Sequence, residues 1–111
     1  MSARMPAHLL VSALVRRVQA AGGFAYVLQR GDADAGAILV ECSDKGQRQM
    51  LLEQARDMAG RVHWREMPLH QDEAAHAEML AKRRRADPDI WIIELDIADA
   101  GRFAAEILPD A

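Results

Sequence analysis

Apolar and polar residues alternate along this chain with two different periods, one typical of helices and one typical of strands. Over residues 6–21 the apolar side chains recur every three or four positions, and Leu10, Leu14 and Val18 share one face. A glycine pair at 22–23 provides the left-handed backbone at which helices commonly end. The pattern predicts an amphipathic helix as the first element.

Two apolar segments, residues 24–30 and 37–42, follow this helix and are separated by the sequence GDADAG. Aspartate and glycine are residues that tight turns use, so the pattern predicts a β-hairpin. Successive side chains of a strand point to opposite faces, and in both segments both sets are apolar. We do not expect the helices of so short a chain to cover all of this surface. An uncovered apolar remainder is typical of a surface that binds another protein.

Residues 47–55 have two interpretations, because their apolar residues have helical spacing while their context is that of a strand. The turn-like residues 57–60 lead into residues 61–67, where Val62 and Trp64 alternate with polar side chains. A strand at 61–67 needs a partner, and the preceding segment is the nearest one. We therefore predict that residues 47–55 form a strand and pair with it.

The last third of the chain predicts a helix, a strand and a second helix. Residues 70–85 have acids near the start and a Lys-Arg run at the end, which complements the helix dipole. Residues 90–95 are the most apolar run, typical of a central strand, and residues 99–108 form a short final helix. The predicted fold is a single α+β domain over residues 1–111, in the order α-β-β-β-β-α-β-α. It has a mainly antiparallel sheet of about five strands with the helices packed on one face.

Composition excludes several functional classes. The 111 residues are 50% hydrophobic and 28% charged, which is the composition of one folded domain. With 14 basic and 17 acidic residues the net charge is -3, so the chain has no overall attraction to nucleic acid or to an anionic membrane. Its single cysteine, Cys42, has no partner for an internal disulfide. No apolar run resembles a membrane span or a signal peptide, and we expect a cytoplasmic protein.

The densest group of potential metal ligands is Asp72, Glu73 and His76. Their spacing puts a carboxylate and an imidazole on one face of the predicted helix. A zinc or di-iron site needs ligands from a second segment as well, and no second Glu-x-x-His sequence is present. The alternative is that both acids stabilise the helix N-terminus while His76 packs at its edge. These residues remain metal-site candidates, and the sequence indicates no cofactor.

Acidic residues near strand ends suggest a second kind of site. Glu94 and Asp96 lie two positions apart at the end of the apolar strand, where paired acids hold Mg²⁺ or transfer protons. Asp34 and Glu41 match the acids of a nuclease sheet motif of the form D…ExK, but no lysine follows Glu41. The missing lysine removes the group that would stabilise negative charge. A metal-assisted hydrolase or nuclease-like enzyme is therefore kept as an alternative function.

Basic residues provide a further alternative, local binding of nucleic acid. Residues 82–85 form the only basic run, and Arg61 and Arg65 lie on a predicted strand that can approach it. Single-stranded nucleic acid also needs exposed aromatic rings for stacking. All five aromatic residues fall on apolar faces where we expect them in the core, which argues against this function. They are Phe24, Tyr26, Trp64, Trp91 and Phe103.

The leading interpretation is a protein without catalytic motifs that acts through protein contact. Two-sided apolar strands and the lack of a complete catalytic constellation both favour a non-enzymatic role. A homodimer through the uncovered sheet face is the simplest such contact.

Three segments of the chain resemble a family of small uncharacterised proteins from alphaproteobacteria, domains of unknown function of about 110 residues. They are PAHLLVSALVRRVQAAGGFAYVLQRGDADAGAILV, DPDIWIIELD and the closing GRF. The resemblance covers nearly the whole chain and implies a single-domain, bacterial, cytoplasmic protein. It is also consistent with a hairpin over residues 47–67. It implies no activity, no cofactor and no catalytic residue.

Overall fold

The computed structural model describes residues 5–56, 58–59 and 61–107, with only the backbone of residues 55, 56 and 107. Within these residues the helices are α1 (Ala7–Ala20), α2 (Glu73–Ala86) and α3 (Ala100–Ile107). The strands are β1 (Phe24–Gln29), β2 (Ile38–Asp44), β3 (Gln47–Arg56), β4 (Val62–Met67) and β5 (Trp91–Asp96). The α+β class, the element order and the strand at β3 are confirmed. Of the turn predicted at 57–60, positions 57 and 60 lie outside the described residues.

The strands form one sheet in the order β1-β5-β2-β3-β4. β2 and β5 are parallel, and the other neighbouring pairs are antiparallel. The predicted pairing of β3 with β4 is confirmed, whereas the predicted β1–β2 hairpin is wrong because β5 lies between these strands. Burial explains the insertion. β5 has buried apolar side chains on both faces, so a position with a strand on each side protects it better than an edge.

Residues 31–36, predicted as the hairpin turn, instead carry the chain past the start of β5. The backbone N–H of Asp32 donates to the Asp89 carbonyl (2.9 Å), and Trp91 Nε1 donates to the Asp32 carbonyl (2.7 Å). The Asp32 carboxylate accepts two backbone N–H groups of the same segment. The Asp-Gly composition thus forms a local turn, as aspartate often does, but the turn does not join paired strands.

Helices cover both faces of the sheet. α1 and α3 pack on one face, where the buried cluster includes Leu10, Leu14, Val18, Val40, Ile93, Phe103 and Ala104. α2 lies on the opposite face, where a smaller cluster contains Leu39, Leu80, Ile90 and Ile92. The expected packing on one face therefore holds for α1 and α3 but not for α2. Since β2 and β5 are apolar on both faces, the second face also needs a cover.

α2 is the most polar of these helices. Asp72 caps its N-terminus by accepting hydrogen bonds from the backbone N–H groups of Ala74 and Ala75. Of its side chains only His76 and Leu80 are buried. Polar contacts therefore contribute much of its attachment to the sheet. None of the helices in the described part of the chain has the length and apolar character needed to cross a membrane.

Candidate functional site

The face of the sheet beneath α2 contains an acidic group near the start of this helix. Glu41 of β2 is buried, and its Oε1 lies 3.0 Å from His76 Nε2 and 3.5 Å from Arg48 Nε. Arg48 Nη2 also donates to Glu73 Oε1 at 2.9 Å. Asp72 is occupied by the helix cap. The three metal-site candidates therefore have three different partners: the α2 backbone, Arg48 and Glu41.

His76 has one free ring nitrogen within the described part of the chain. Its Nδ1 is buried and has no hydrogen-bond partner, whereas Nε2 faces the Glu41 carboxylate. A neutral imidazole with its hydrogen on Nε2 donates to Glu41 and leaves only a lone pair on Nδ1. This tautomer buries no unpaired N–H group, so the geometry supports a positioning role for His76 between α2 and β2.

Two further acids extend this group toward the open side of the sheet. Glu94 of β5 lies beside Glu41, and Asp96 lies beside Ser43, because β2 and β5 run in parallel. Burial raises the pKa of the Glu94 carboxyl, the charges of Glu41 and Asp96 raise it further, and the Ser43 hydroxyl and Arg48 oppose the rise. Three acids thus lie together near the carboxyl ends of these two strands, and among the described ion pairs Arg48 and His76 bind Glu41 alone of the three.

The acids predicted for a metal-assisted enzyme are only partly brought together. Glu41, Glu94 and Asp96 share a region of the sheet, but Asp34 lies near the start of β5, at its other end. Asp96 accepts the backbone N–H groups of Lys45 and Gly46, at 2.7 and 3.0 Å. Over residues 5–56, 58–59 and 61–107, no group of three or more His, Cys, Asp and Glu side chains is arranged to hold a metal ion.

Basic residues converge near the other end of α2. Glu53 of β3 is buried, and its carboxylate accepts from Arg65 Nη2 at 2.6 Å and contacts Arg83. The exposed Arg85 lies 3.7 Å from Glu78. The structure thus brings together Arg65 and Arg83, which belong to two parts of the basic patch predicted from the sequence. Glu53 lies between them and neutralises one of their two positive charges. Sequence reasoning missed Glu53, because only the pairing of β3 with β4 places it between the arginines.

Exposed apolar side chains are concentrated on β1. The exposed fractions are 62% for Phe24, 49% for Tyr26, 42% for Val27 and 43% for Leu28. We call these four residues the open strip. The expectation that Phe24 and Tyr26 lie in the core is wrong, because both side chains are exposed. The ion pairs of α2 join it to β2 and β3, and none of those described joins it to β1. Trp91 and Phe103 are buried as expected, and Trp64 is partly buried.

β1 is also an edge strand without charged residues. Its sequence is FAYVLQ, whereas β4 at the opposite edge contains His63, Arg65 and Glu66. Charges on an edge strand discourage pairing with other chains, since such a strand has backbone N–H and C=O groups that a further strand can bind. β4 has this protection and β1 lacks it.

The acids of β5 adjoin the open strip directly. Phe24 is the cross-strand partner of Asp96, and Tyr26 is the partner of Glu94. Directly opposed residues of an antiparallel pair lie on the same face. One face of the sheet therefore presents two aromatic rings, then two carboxylates, and then the polar group at the start of α2. This arrangement is the candidate binding surface of the protein.

Three solved structures that are similar to this chain come from two bacteria. The NMR structure of a DUF1491 family protein from Caulobacter crescentus has a TM-score of 0.80 and 31% identity, covering 98% of this chain and 96% of that one. A crystal structure of a DUF1491 family protein from Caulobacter crescentus gives 0.77 and 32%, with coverage of 90% and 94%. The solution structure of Atu0922 from A. tumefaciens gives 0.74 and 31%, with coverage of 91% and 92%. No curated protein matches this chain.

The sequence model of a single family matches most of the chain. It covers residues 5–105, and its description is "Protein of unknown function (DUF1491)". This agrees with the resemblance to small alphaproteobacterial proteins that the sequence itself shows. The chain therefore belongs to the DUF1491 family, whose function is unknown.

Proposed function

We propose that this protein works by binding another polypeptide chain at β1. The observation that carries the proposal is the open strip: four large apolar side chains exposed on an uncharged edge strand. Isolated exposed apolar residues are ordinary, but contiguous ones on a strand edge are typical of contact surfaces. A cytoplasmic location is part of the proposal, and the single cysteine, Cys42, is compatible with a reducing compartment.

Strand addition is the form of contact that this surface supports. A further strand beside β1 satisfies the backbone groups at the edge, and its alternate side chains pack against the open strip. β1 of a second copy is the simplest such strand, since two identical edges pair about a two-fold axis. An extended segment of a different protein can bind in the same way.

Removal of the two exposed rings tests the proposal. The variant Phe24→Ser/Tyr26→Ser removes aromatic surface from the open strip and leaves the buried core intact. Leu9→Ser is the matched control, because Leu9 is also apolar and exposed but lies on α1. We expect the double variant to lose at least about tenfold in affinity for a bound strand, whereas the control retains the wild-type affinity.

Two measurements supply the readout. Sedimentation velocity from about 1 µM to about 1 mM measures self-association. Selection from a random peptide library, followed by hydrogen exchange at the β1 amides, finds strands from other chains. Failure of the wild type to self-associate and to bind any peptide at β1 overturns the proposal. Equal losses in the double variant and in Leu9→Ser overturn it as well.

A further inference from the structure

We propose that the strand which β1 receives is a basic, extended segment of a different protein, with Lys or Arg at alternate positions. This inference rests on the proposed function and adds the chemistry of the partner. It follows from what lies beside the open strip and from the charges around it.

The first argument is geometric. Neighbouring strands lie about 4.8 Å apart, so a strand added to β1 lies roughly 10 Å from β5. Tyr26 and Phe24 occupy the space between, and their cross-strand partners Glu94 and Asp96 lie just beyond. A long side chain of the added strand that points to this face passes over an aromatic ring and ends at a carboxylate. Lys and Arg have the length and the charge for this path.

The second argument is the balance of charge around Glu94 and Asp96. Arg48 acts on Glu94, but its guanidinium also pairs with Glu41 and Glu73. Among the described hydrogen bonds, Asp96 accepts the backbone N–H groups of Lys45 and Gly46 and none from a basic side chain. The raised pKa of Glu94, caused first by burial and then by Glu41 and Asp96, agrees with an excess of negative charge here. A cationic partner relieves this repulsion, whereas an anionic or nucleic-acid partner increases it.

Exposed aromatic rings beside these acids favour the same ligand. A guanidinium or ammonium group over a ring face within about 6 Å is attracted by the ring electrons. The protein already uses this contact, because the Arg17 guanidinium lies 5.1 Å from the Phe103 ring centre and that of Arg30 lies 5.4 Å from the Trp91 ring centre. Phe24 and Tyr26 offer two further rings, and a carboxylate stands beside each of them.

A second copy of the chain fits this surface less well. Pairing of β1 with itself places one uncharged strand against another and brings no further positive charge to Glu94 and Asp96 of either copy. A basic segment supplies that charge, and charge complementarity therefore selects it.

The test uses three capped decapeptides in which valine alternates with lysine, serine or glutamate. Their affinities for the full chain are measured by calorimetry at about 20 mM and about 500 mM salt, and the bound site is mapped by hydrogen exchange. We expect the lysine peptide to bind most tightly, to protect the β1 amides and to weaken at high salt. Glu94→Gln should lower the affinity for the lysine peptide about fivefold at low salt. Glu66→Gln, which removes an exposed acid from β4, should leave its affinity unchanged.

Each alternative result has a separate meaning. Equal binding of the serine and lysine peptides at β1 overturns the basic partner but retains strand addition. Equal weakening by Glu94→Gln and Glu66→Gln shows attraction to the net charge alone and also overturns the inference. Self-association through β1 without peptide binding makes a second copy the occupant. Absence of both kinds of binding overturns the proposed function itself.

Discussion

The Cys42 thiol lies in the core on the face of the sheet that α1 and α3 cover, and burial raises its pKa from 9.0 to about 12. Above pH 9 the thiol therefore ionises in the unfolded chain but stays neutral in the folded one. The unfolded chain then binds fewer protons, so the contribution of Cys42 to stability is complete below about pH 9 and falls as the pH rises toward 12. The thiol is a structural group and a poor nucleophile in the native state.

Comparison with Cys42→Ala isolates this effect from other groups that titrate in alkali. We expect the difference in free energy of unfolding between the wild type and Cys42→Ala to shrink by about 2 kcal/mol between about pH 8 and about pH 10.5. Urea unfolding at both pH values measures it. A constant difference, or rapid alkylation of Cys42 in the native protein, contradicts the burial argument.

Position 36 requires glycine because neighbouring atoms lie too close to leave room for a side chain, and not because of its backbone angles. A Cβ atom at this position would meet the Asp89 carbonyl oxygen far inside van der Waals contact and would lie 2.9 Å from Trp91 Cδ1. This carbonyl also accepts the Asp32 N–H, so a shift of the backbone just before β5 would disturb that hydrogen bond. We expect Gly36→Ala to lower the free energy of unfolding by about 2 kcal/mol or more.

Gly101→Ala is the matched control, since its Cβ would lie 3.5 Å from Met50 Sδ in ordinary contact, within a helix that favours alanine. Thermal or urea unfolding measures both variants. The prediction fails when the two alanine substitutions have the same effect on stability.

At the scale of the element, α2 depends on a buried carboxylate at its basic end. Glu53 binds Arg65 of β4 and Arg83 of α2, so Glu53→Gln leaves two guanidinium groups without their counter-charge. We expect this change to lower the free energy of unfolding by about 1–3 kcal/mol and to speed amide exchange in α2 first.

Glu78→Gln tests the same charge change on the exposed side of α2, where the Glu78–Arg85 pair is 3.7 Å apart and open to solvent. Here we expect the free energy of unfolding to change by less than about 0.5 kcal/mol. Calorimetric unfolding and hydrogen exchange by mass spectrometry provide the two readouts. If Glu53→Gln has no effect, apolar contacts through Leu80 hold the helix instead. A large effect of Glu78→Gln contradicts the distinction between the buried and the exposed pair.

Local sequence patterns predicted the helices and strands well, but they did not predict correctly which strands lie next to each other in the sheet. Periodicity and capping placed α1 and α2 to within a few residues, since helix signals are contained in adjacent turns. The strand at β3 was predicted from the alternation in β4, although its own residues have helical spacing. The order of strands in the sheet depends on β5, which is distant in sequence, and the rule that favours nearby partners led to a false β1–β2 hairpin.

The same difference between local and long-range information explains which parts of the candidate site could be predicted from the sequence. The sequence indicated that some apolar strand surface stays uncovered, and it identified Glu94 and Asp96 as acids at a strand end. It did not show that these acids lie beside Phe24 and Tyr26, because that contact is set by the register of β1 against β5. Glu41, His76 and Arg48 come from three elements, and no local spacing relates them.

At the scale of the whole molecule, we predict that the chain unfolds in one cooperative step. Trp91 in the interior strand β5 and Trp64 in the edge strand β4 pack against the same core, and Trp64 Nε1 donates to the Ala104 carbonyl at 3.1 Å. The single-tryptophan variants Trp64→Phe and Trp91→Phe follow different regions of this core. In each variant we expect fluorescence and circular dichroism to give the same urea midpoint. Separate midpoints indicate a region that unfolds independently.

The position of β5 also determines when the sheet can be completed as the chain leaves the ribosome. β1 begins at residue 24, but the strand beside which it lies begins at residue 91. At about 5–20 residues per second, roughly 3–13 seconds of synthesis separate the two. During that time the nascent chain displays β1 with both of its edges unpaired. The segment that we propose as a binding surface in the finished protein is therefore also the strand that waits longest for its neighbour while the chain is being made.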